Sequence, residues 1–245
     1  MKKSVYFAFH SITLIGKMKK AIDRNDGVTA TVLAGAVCET FLNDMQRFFQ
    51  HGVDYRAESL RKYEEDKTKF SFRKNEFVVD LDLSFFKATT ELETKLAEKL
   101  SELEKPENQC STADKYAAAI ELIKNTNESG TSRMQELRRL FDIRNDIVHS
   151  KGLTIDIPYD ENNNEVAPTR SDYPDFLRPL FKQNILMTPQ HHDTWLYLLD
   201  TRSYCRWVKK TVVNSMYYIL ENLDKESPMS KYFEASFYVY ERKSG

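Results

Sequence analysis

The chain has little of what would staple, break or anchor it. Cysteine occurs only at Cys38, Cys110 and Cys205, with no CxxC or CxxH spacing. An odd, scattered set fits reduced thiols in a cytosolic protein and excludes a disulfide framework. Glycine and proline number only 7 each in 245 residues. With abundant Leu, Lys, Glu and Ala, that scarcity points to helix over a turn-rich β fold. No apolar run reaches the roughly 18 residues a membrane span needs. The formal net charge is −1. Global electrostatics therefore make no case for nucleic acid, and any anion site must be local. There is no Gly-rich phosphate loop, no GxSxG, no HExxH and no internal repeat.

What is present is a core-forming composition, with 41% hydrophobic and 30% charged residues. The length suits one large domain or two small ones. Lys2-Lys3 before Val5–Ile15 faintly imitates a signal peptide, but His10, Ser11 and Thr13 interrupt the apolar part and no cleavage site follows. We read it as a folded first element. Helical spacing predicts a first helix over 3–23, a turn at Asn25-Asp26-Gly27 and a second helix over about 28–50, ended by His51-Gly52. Ala34, Gly35 and Ala36 on that helix allow a neighbour to approach closely. A short exposed helix over 54–66 and a hairpin or irregular segment over Lys69–Phe86 are expected next. Further helices are expected over about 88–105, stopped by Pro106, and from Ser111 or Thr112 to about 126. Residues 153–190 read as a long loop, and Pro189 as the first turn of a helix over about 189–223. The aromatic tail, with Phe233, Phe237, Tyr238 and Tyr240, is expected to dock as a short helix or strand. The fold class is all-α: one antiparallel helical bundle with insertions.

The stretch Leu137–Gly152 carries the chemistry. Ser132-Arg133-Met134-Gln135 has capping-box form and predicts a helix starting near Arg133, with Gly152 as its end signal. On a helical wheel with Arg144 at zero, Leu137, Leu140, Phe141, Ile147 and Val148 all fall within about 60° of it. Arg144 thus sits in the middle of an apolar stripe. A guanidinium cannot be neutralised, so a carboxylate, a partner chain or an anion must meet it. His149 lies roughly 140° round the same wheel. The bland reading is a core Arg paired with a buried acid and an ordinary surface His.

Other candidates are weaker. Glu39 and Asn43 stand one turn apart on the second helix. They are either a surface pair, or Glu39 faces the motif helix and pairs with Arg144 or orients His149. Arg133, Arg138, Arg139 and Lys151 are opposed by Glu136, Asp142 and Asp146. They form either a mixed solvated face or an RNA-facing patch clustered by dimerisation. Adjacent His191 and His192, before Asp193, point to different helix faces and cannot easily share a metal, so we expect no metal site and read them as helix-start residues.

The string Ile143-Arg144-Asn145-Asp146-Ile147-Val148-His149 resembles the Arg–polar–x3–5–His signature of HEPN domains (higher eukaryotes and prokaryotes nucleotide-binding), here in the Arg-x4-His form. The second helix, with Glu39-x-x-x-Asn43, and the 189–223 helix look like the early and last helices of such domains. The resemblance implies one HEPN-like helical domain over 1–245, its core about 28–50 and 111–223, with insertions about 51–110 and 153–188. It implies a cytoplasmic, metal-independent endoribonuclease that needs no cofactor. Two chains would join Arg144 and His149 in one composite homodimer site, leaving 2′,3′-cyclic phosphate and 5′-OH ends. His149 would be the acid/base, Arg144 would bind the phosphate, and Asn145, Asp146 and Glu39 would support them. RNA is the expected partner, with no DNA and no membrane. A toxin–antitoxin or phage-defence setting with an antitoxin or regulatory protein is also implied. The alternatives are a non-catalytic HEPN domain that binds RNA, a nucleotide or a protein, and an unrelated helical interaction protein whose Arg144 is paired inside a core. On an ideal helix one chain cannot aim Arg144 and His149 at one phosphate. Either the helix breaks near Val148, or a second chain completes the site.

Overall fold

The computed structural model describes residues 8–69, 90–108, 110–149, 157–191 and 193–242. The expectations for residues 1–7, for most of Lys69–Phe86, and for Lys151, Gly152 and His192 lie outside them. Among the described residues the fold is all-α: α1 (His10–Asp23), α2 (Gly27–Lys69), α3 (Glu91–Glu102), α4 (Thr112–Lys124), α5 (Ser132–His149), α6 (Arg178–Lys182), α7 (Arg202–Asn222) and α8 (Pro228–Arg242). Short 3-10 turns and one isolated bridge, Tyr159 with Glu165, complete them. None of these helices is long and apolar enough to cross a membrane.

The chain divides into two compact units, each built from separate segments, so the expected core of about 28–50 and 111–223 is shared between them. One unit takes Phe41–Glu128 and Tyr217 onward, with Phe9. Its core is aromatic. The Phe233 ring of α8 lies 5.7 Å from each of Phe41, Phe48 and Phe49 on α2, and 5.2 Å from Phe9. Helix α3 packs on α4, and its Leu96 and Leu100 are buried. Among the acidic residues of α3, Glu93 is buried. Its buried carboxylate accepts hydrogen bonds from the Thr90 backbone N–H (2.9 Å), the Ser227 hydroxyl, and the Ser230 N–H (3.2 Å) and hydroxyl (2.6 Å). Those donors replace the water that a buried acid would otherwise lose.

The other unit takes His10–Thr40 and Ser129–Met216. Asn25, at φ 56°, makes the turn after α1, and the Asp26 carboxylate accepts from the Thr29 N–H at 2.9 Å to cap α2. The Thr31 hydroxyl joins α2 to α7 through the Tyr204 hydroxyl at 2.8 Å. Burial raises the Tyr204 pKa, so the phenol stays neutral in that bond. Burial likewise pushes the Cys205 thiol up to about 11.

Several boundaries differ from expectation. Helix α1, expected over 3–23, begins at His10, and Ala8 and Phe9 lie outside it. His51-Gly52 does not end α2. Gly52 is buried, and no glycine among the described residues takes positive φ, so no left-handed cap forms. The Gln50 amide donates to Asp54 at 2.9 Å, and the His51 and Tyr55 ring centroids lie 6.4 Å apart, each pair one turn apart across that stretch. The expected helix over 54–66 is therefore the continuation of α2. Helix α5 is capped by Thr131 rather than Ser132, since the Thr131 hydroxyl accepts from the Met134 N–H at 3.5 Å. Pro189 starts no helix, and His191 and Asp193 lie in irregular chain. Helix α7 begins at Arg202, with the Thr201 hydroxyl accepting from the Tyr204 N–H at 3.2 Å. A tertiary contact decides this. The Gly27 N–H donates to Asp200 at 2.8 Å, and a Cβ on Gly27 would stand 1.9 Å from the Leu199 carbonyl oxygen. That contact holds Trp195–Leu199 in a 3-10 turn with Trp195 and Leu199 buried. The tail is the 15-residue helix α8, with Pro228 in its first turn and the Ser227 hydroxyl accepting from the Ser230 N–H at 3.3 Å.

Candidate functional site

Helix α5 buries Met134, Leu137, Leu140, Phe141 and Ile143. Burying side chains of this size contributes about 1.5–3 kcal/mol each. The apolar stripe then runs out. Ile147 is half-buried and Val148 is 48% exposed. Arg144 stands at that border, with its side chain 25% exposed.

Gly35 of α2 gives Arg144 its seat. A Cβ built on Gly35 would meet Arg144 Cγ at 3.1 Å and Nε at 3.3 Å, so the stem lies directly on the α2 backbone. The Arg144 Nη1 donates to the Asn145 Oδ1 at 3.0 Å. Its Nη2 stands 3.7 Å from Glu39 Oε1, an ion pair longer than a hydrogen bond, with Glu39 39% exposed. Arg144 Nε is buried with no hydrogen-bond partner among the described residues. An unmet donor on a charged group is costly. The guanidinium is thus held in place by packing, while its donors are only partly used.

His149 is exposed and is the last described residue of α5, which stays helical through it. The helix does not break at Val148. Arg144 and His149 therefore diverge by roughly 140° and are about 7.5 Å apart along the axis. Glu39 and Asn145 gather round Arg144. Asp146 is half-buried on the far side of Asn145 in the chain, and Asn43 is half-buried one turn along α2.

Of the candidate basic set, Lys151 lies outside the described residues, and two members make contacts within the chain. Arg138 donates to the Ser129 carbonyl at 2.5 Å, and Arg139 pairs with Glu136 at 2.8 Å. Glu136 also accepts from Gln183 Nε2 at 3.1 Å and from the Trp207 indole N–H. Burial pushes its carboxyl up, but the Gln183, Trp207 and Arg139 contacts outweigh that and hold it below the usual range. Among the described residues no cluster of His, Cys, Asp and Glu is placed to hold a metal ion. His191 stands 3.9 Å from Glu165.

Two features escaped the sequence. Gly35 was visible only as part of the Ala34-Gly35-Ala36 run; its contact with Arg144 depends on how α2 and α5 meet. The Glu136–Trp207 bond joins residues 71 positions apart, which no local pattern reveals. No family model, curated protein or solved structure matches the chain.

Proposed function

We propose that this chain is a metal-independent endoribonuclease of HEPN type, acting as a homodimer. The observation that carries the reading is Arg144: a guanidinium seated on Gly35 at the edge of the core, its Nε unmet, on the helix that exposes His149. Such a group suits an anion better than a core. The helical wheel supports the dimer reading. Because one continuous helix turns Arg144 and His149 apart, a second copy brings the missing partner to each.

In this mechanism one His149 takes the proton of the ribose 2′-OH as its oxygen bonds to phosphorus. The P–O5′ bond breaks, and the same His149, now protonated, gives that proton to the leaving oxygen, so one Arg144 and one His149 from different copies suffice. The ends are a 2′,3′-cyclic phosphate and a 5′-OH. Histidine suits both steps because it titrates near neutral pH. Arg144 neutralises charge gathering on the phosphate, and Asn145 orients its Nη1. The requirement for a 2′-OH makes RNA, not DNA, the substrate. A cytoplasmic toxin or phage-defence effector, restrained by an antitoxin or regulatory protein, fits such an activity.

The test is incubation of the purified chain with RNA in EDTA, with analysis of the ends. Cleavage to cyclic phosphate that Arg144→Ala and His149→Ala each abolish is the expected result. Activity lost with EDTA would sink the metal-independent chemistry. The Glu39 pair favours a second reading, in which Arg144 serves structure and the domain binds RNA, a nucleotide or a protein without cutting. RNA bound by the wild-type dimer and left intact would select it.

A further inference from the structure

Beyond the Arg144 site, α7 carries a row of cations that the proposed cleavage chemistry does not use. Arg202, Arg206 and Lys210 are each one turn apart, about 6 Å of axis, and all are exposed. No Asp or Glu occurs on α7 before Glu221. Like charges one turn apart repel and weaken a helix. Positive charge near a helix N-terminus is also unfavourable. Among the described residues no ion pair to Arg206 or Lys210 is found. In a chain of net charge −1 this is a concentrated local field.

The row borders a cleft of about 580 Å³ between α7 and the start of α5. Arg206, Lys210, Ser203 and Asn214 line it from α7, with Arg133 from α5 and Gln183 beside them. Guanidinium, ammonium, hydroxyl and amide donors of this kind are what phosphate and sugar oxygens take. Glu136, at the same cleft, is already engaged by Arg139, Gln183 and Trp207. Trp207 is only 7% exposed and its indole N–H is bound, so it offers no platform for stacking a base. Three cations in a line suit a row of phosphates rather than a single one.

We propose that this cleft is a backbone track for single-stranded RNA, with Arg206 and Lys210 as its phosphate contacts. It rests on the RNA reading above and adds to it where the strand runs and how it is held: by its phosphates, without sequence preference. Arg133 of the cleft and His149 lie about 24 Å apart along α5. The track therefore holds RNA remote from the scissile bond.

The test is binding of a fluorescent single-stranded RNA oligonucleotide by the full chain carrying His149→Ala, which keeps the RNA intact. The Arg206→Ala/Lys210→Ala double substitution in that background is expected to weaken binding. It should also flatten the slope of log affinity against log salt by about 1.4, or about 0.7 for each phosphate no longer neutralised. Lys209→Ala, exposed on α7 but outside the cleft lining, is expected to change neither. Equal affinity and slope in the double variant overturn the track and leave the RNA reading standing. So does an equal loss in Lys209→Ala, since net charge then explains the effect. If the parent chain binds no RNA, the track and the RNA reading fall together. In active protein, the double substitution should raise KM for a long RNA.

Discussion

Arg144 lies on the backbone of Gly35, so close that a methyl group there would stand 3.1 Å from its Cγ and 3.3 Å from its Nε. The seat exists because glycine has no side chain at that point of α2. Gly35→Ala forces the flexible Arg144 stem to shift by a few tenths of an ångström, while the helix gains about 1 kcal/mol of propensity. The expected result is an unchanged or slightly raised Tm, with RNA cleavage reduced at least tenfold. A fall in Tm with activity retained would show that the seat matters to the fold rather than to the site.

The two motif residues should respond differently to conservative change. His149→Ala is expected to lose about 10²–10⁴-fold in rate, the range for a general acid or base. Arg144→Lys keeps the charge but not the planar fork of donors, so it should fall nearly as far as Arg144→Ala. Thermal melts should separate the pair: exposed His149 leaves Tm unmoved. Loss of Arg144 removes its stem packing and a partly exposed pair of about 0–1 kcal/mol.

A composite site can be read by mixing. Arg144→Ala chains and His149→Ala chains, each inactive alone, should regain part of the activity when refolded together, because a mixed dimer holds one intact copy of each residue. Recovery absent from a mixture proven to contain heterodimers would place both residues of a working site in one chain.

Glu136 sets an acid limit on the unit that carries the site. Its folded pKa is depressed: burial raises it, and the bonds to Gln183, Trp207 and Arg139 lower it by more. The stability it contributes is therefore complete above the ordinary Glu pKa of about 4.3, and is lost as pH falls through the lower folded value. Glu136→Gln should cost about 1–3 kcal/mol at neutral pH and make unfolding less steep in acid. Denaturant titrations of both proteins from neutral to acid pH provide the check.

Gly27 is the stricter glycine. A Cβ there would stand 1.9 Å from the Leu199 carbonyl oxygen, and backbone cannot yield as a side chain does. Gly27→Ala should destabilise by about 1–3 kcal/mol or more, despite its better helix propensity. A Tm equal to wild type would mean that the Trp195–Thr201 turn moves freely from α2.

Several elements were legible because they rest on local chemistry. The all-α class follows from scarce Gly and Pro with periodic apolar residues. The Asn25-Asp26-Gly27 turn, the helix before Pro106 and the Ser111 cap are written in neighbouring residues. That Arg144 falls in phase with the apolar residues of its helix was also readable on a wheel, although the buried stripe ends there rather than running on through Ile147 and Val148. The misjudged ends share a cause. Gly52 reads as a stop and Pro189 as a start, but neighbours within reach decide otherwise: the Gln50–Asp54 and His51–Tyr55 pairs across Gly52, and the Leu199–Gly27 approach for the turn before α7.

By itself the sequence determined the helical class and the position of Arg144 against its stripe, because both depend on the period of one helix. It also placed His149 roughly 140° away, for the same reason. Only the tertiary structure decided that the stripe ends at Arg144, that Gly35 is its seat, that Glu39 stands 3.7 Å from it, and that Glu136 is tied to Trp207. Those facts join residues distant along the chain, and the packing of one helix on another, rather than the pattern within either, sets them.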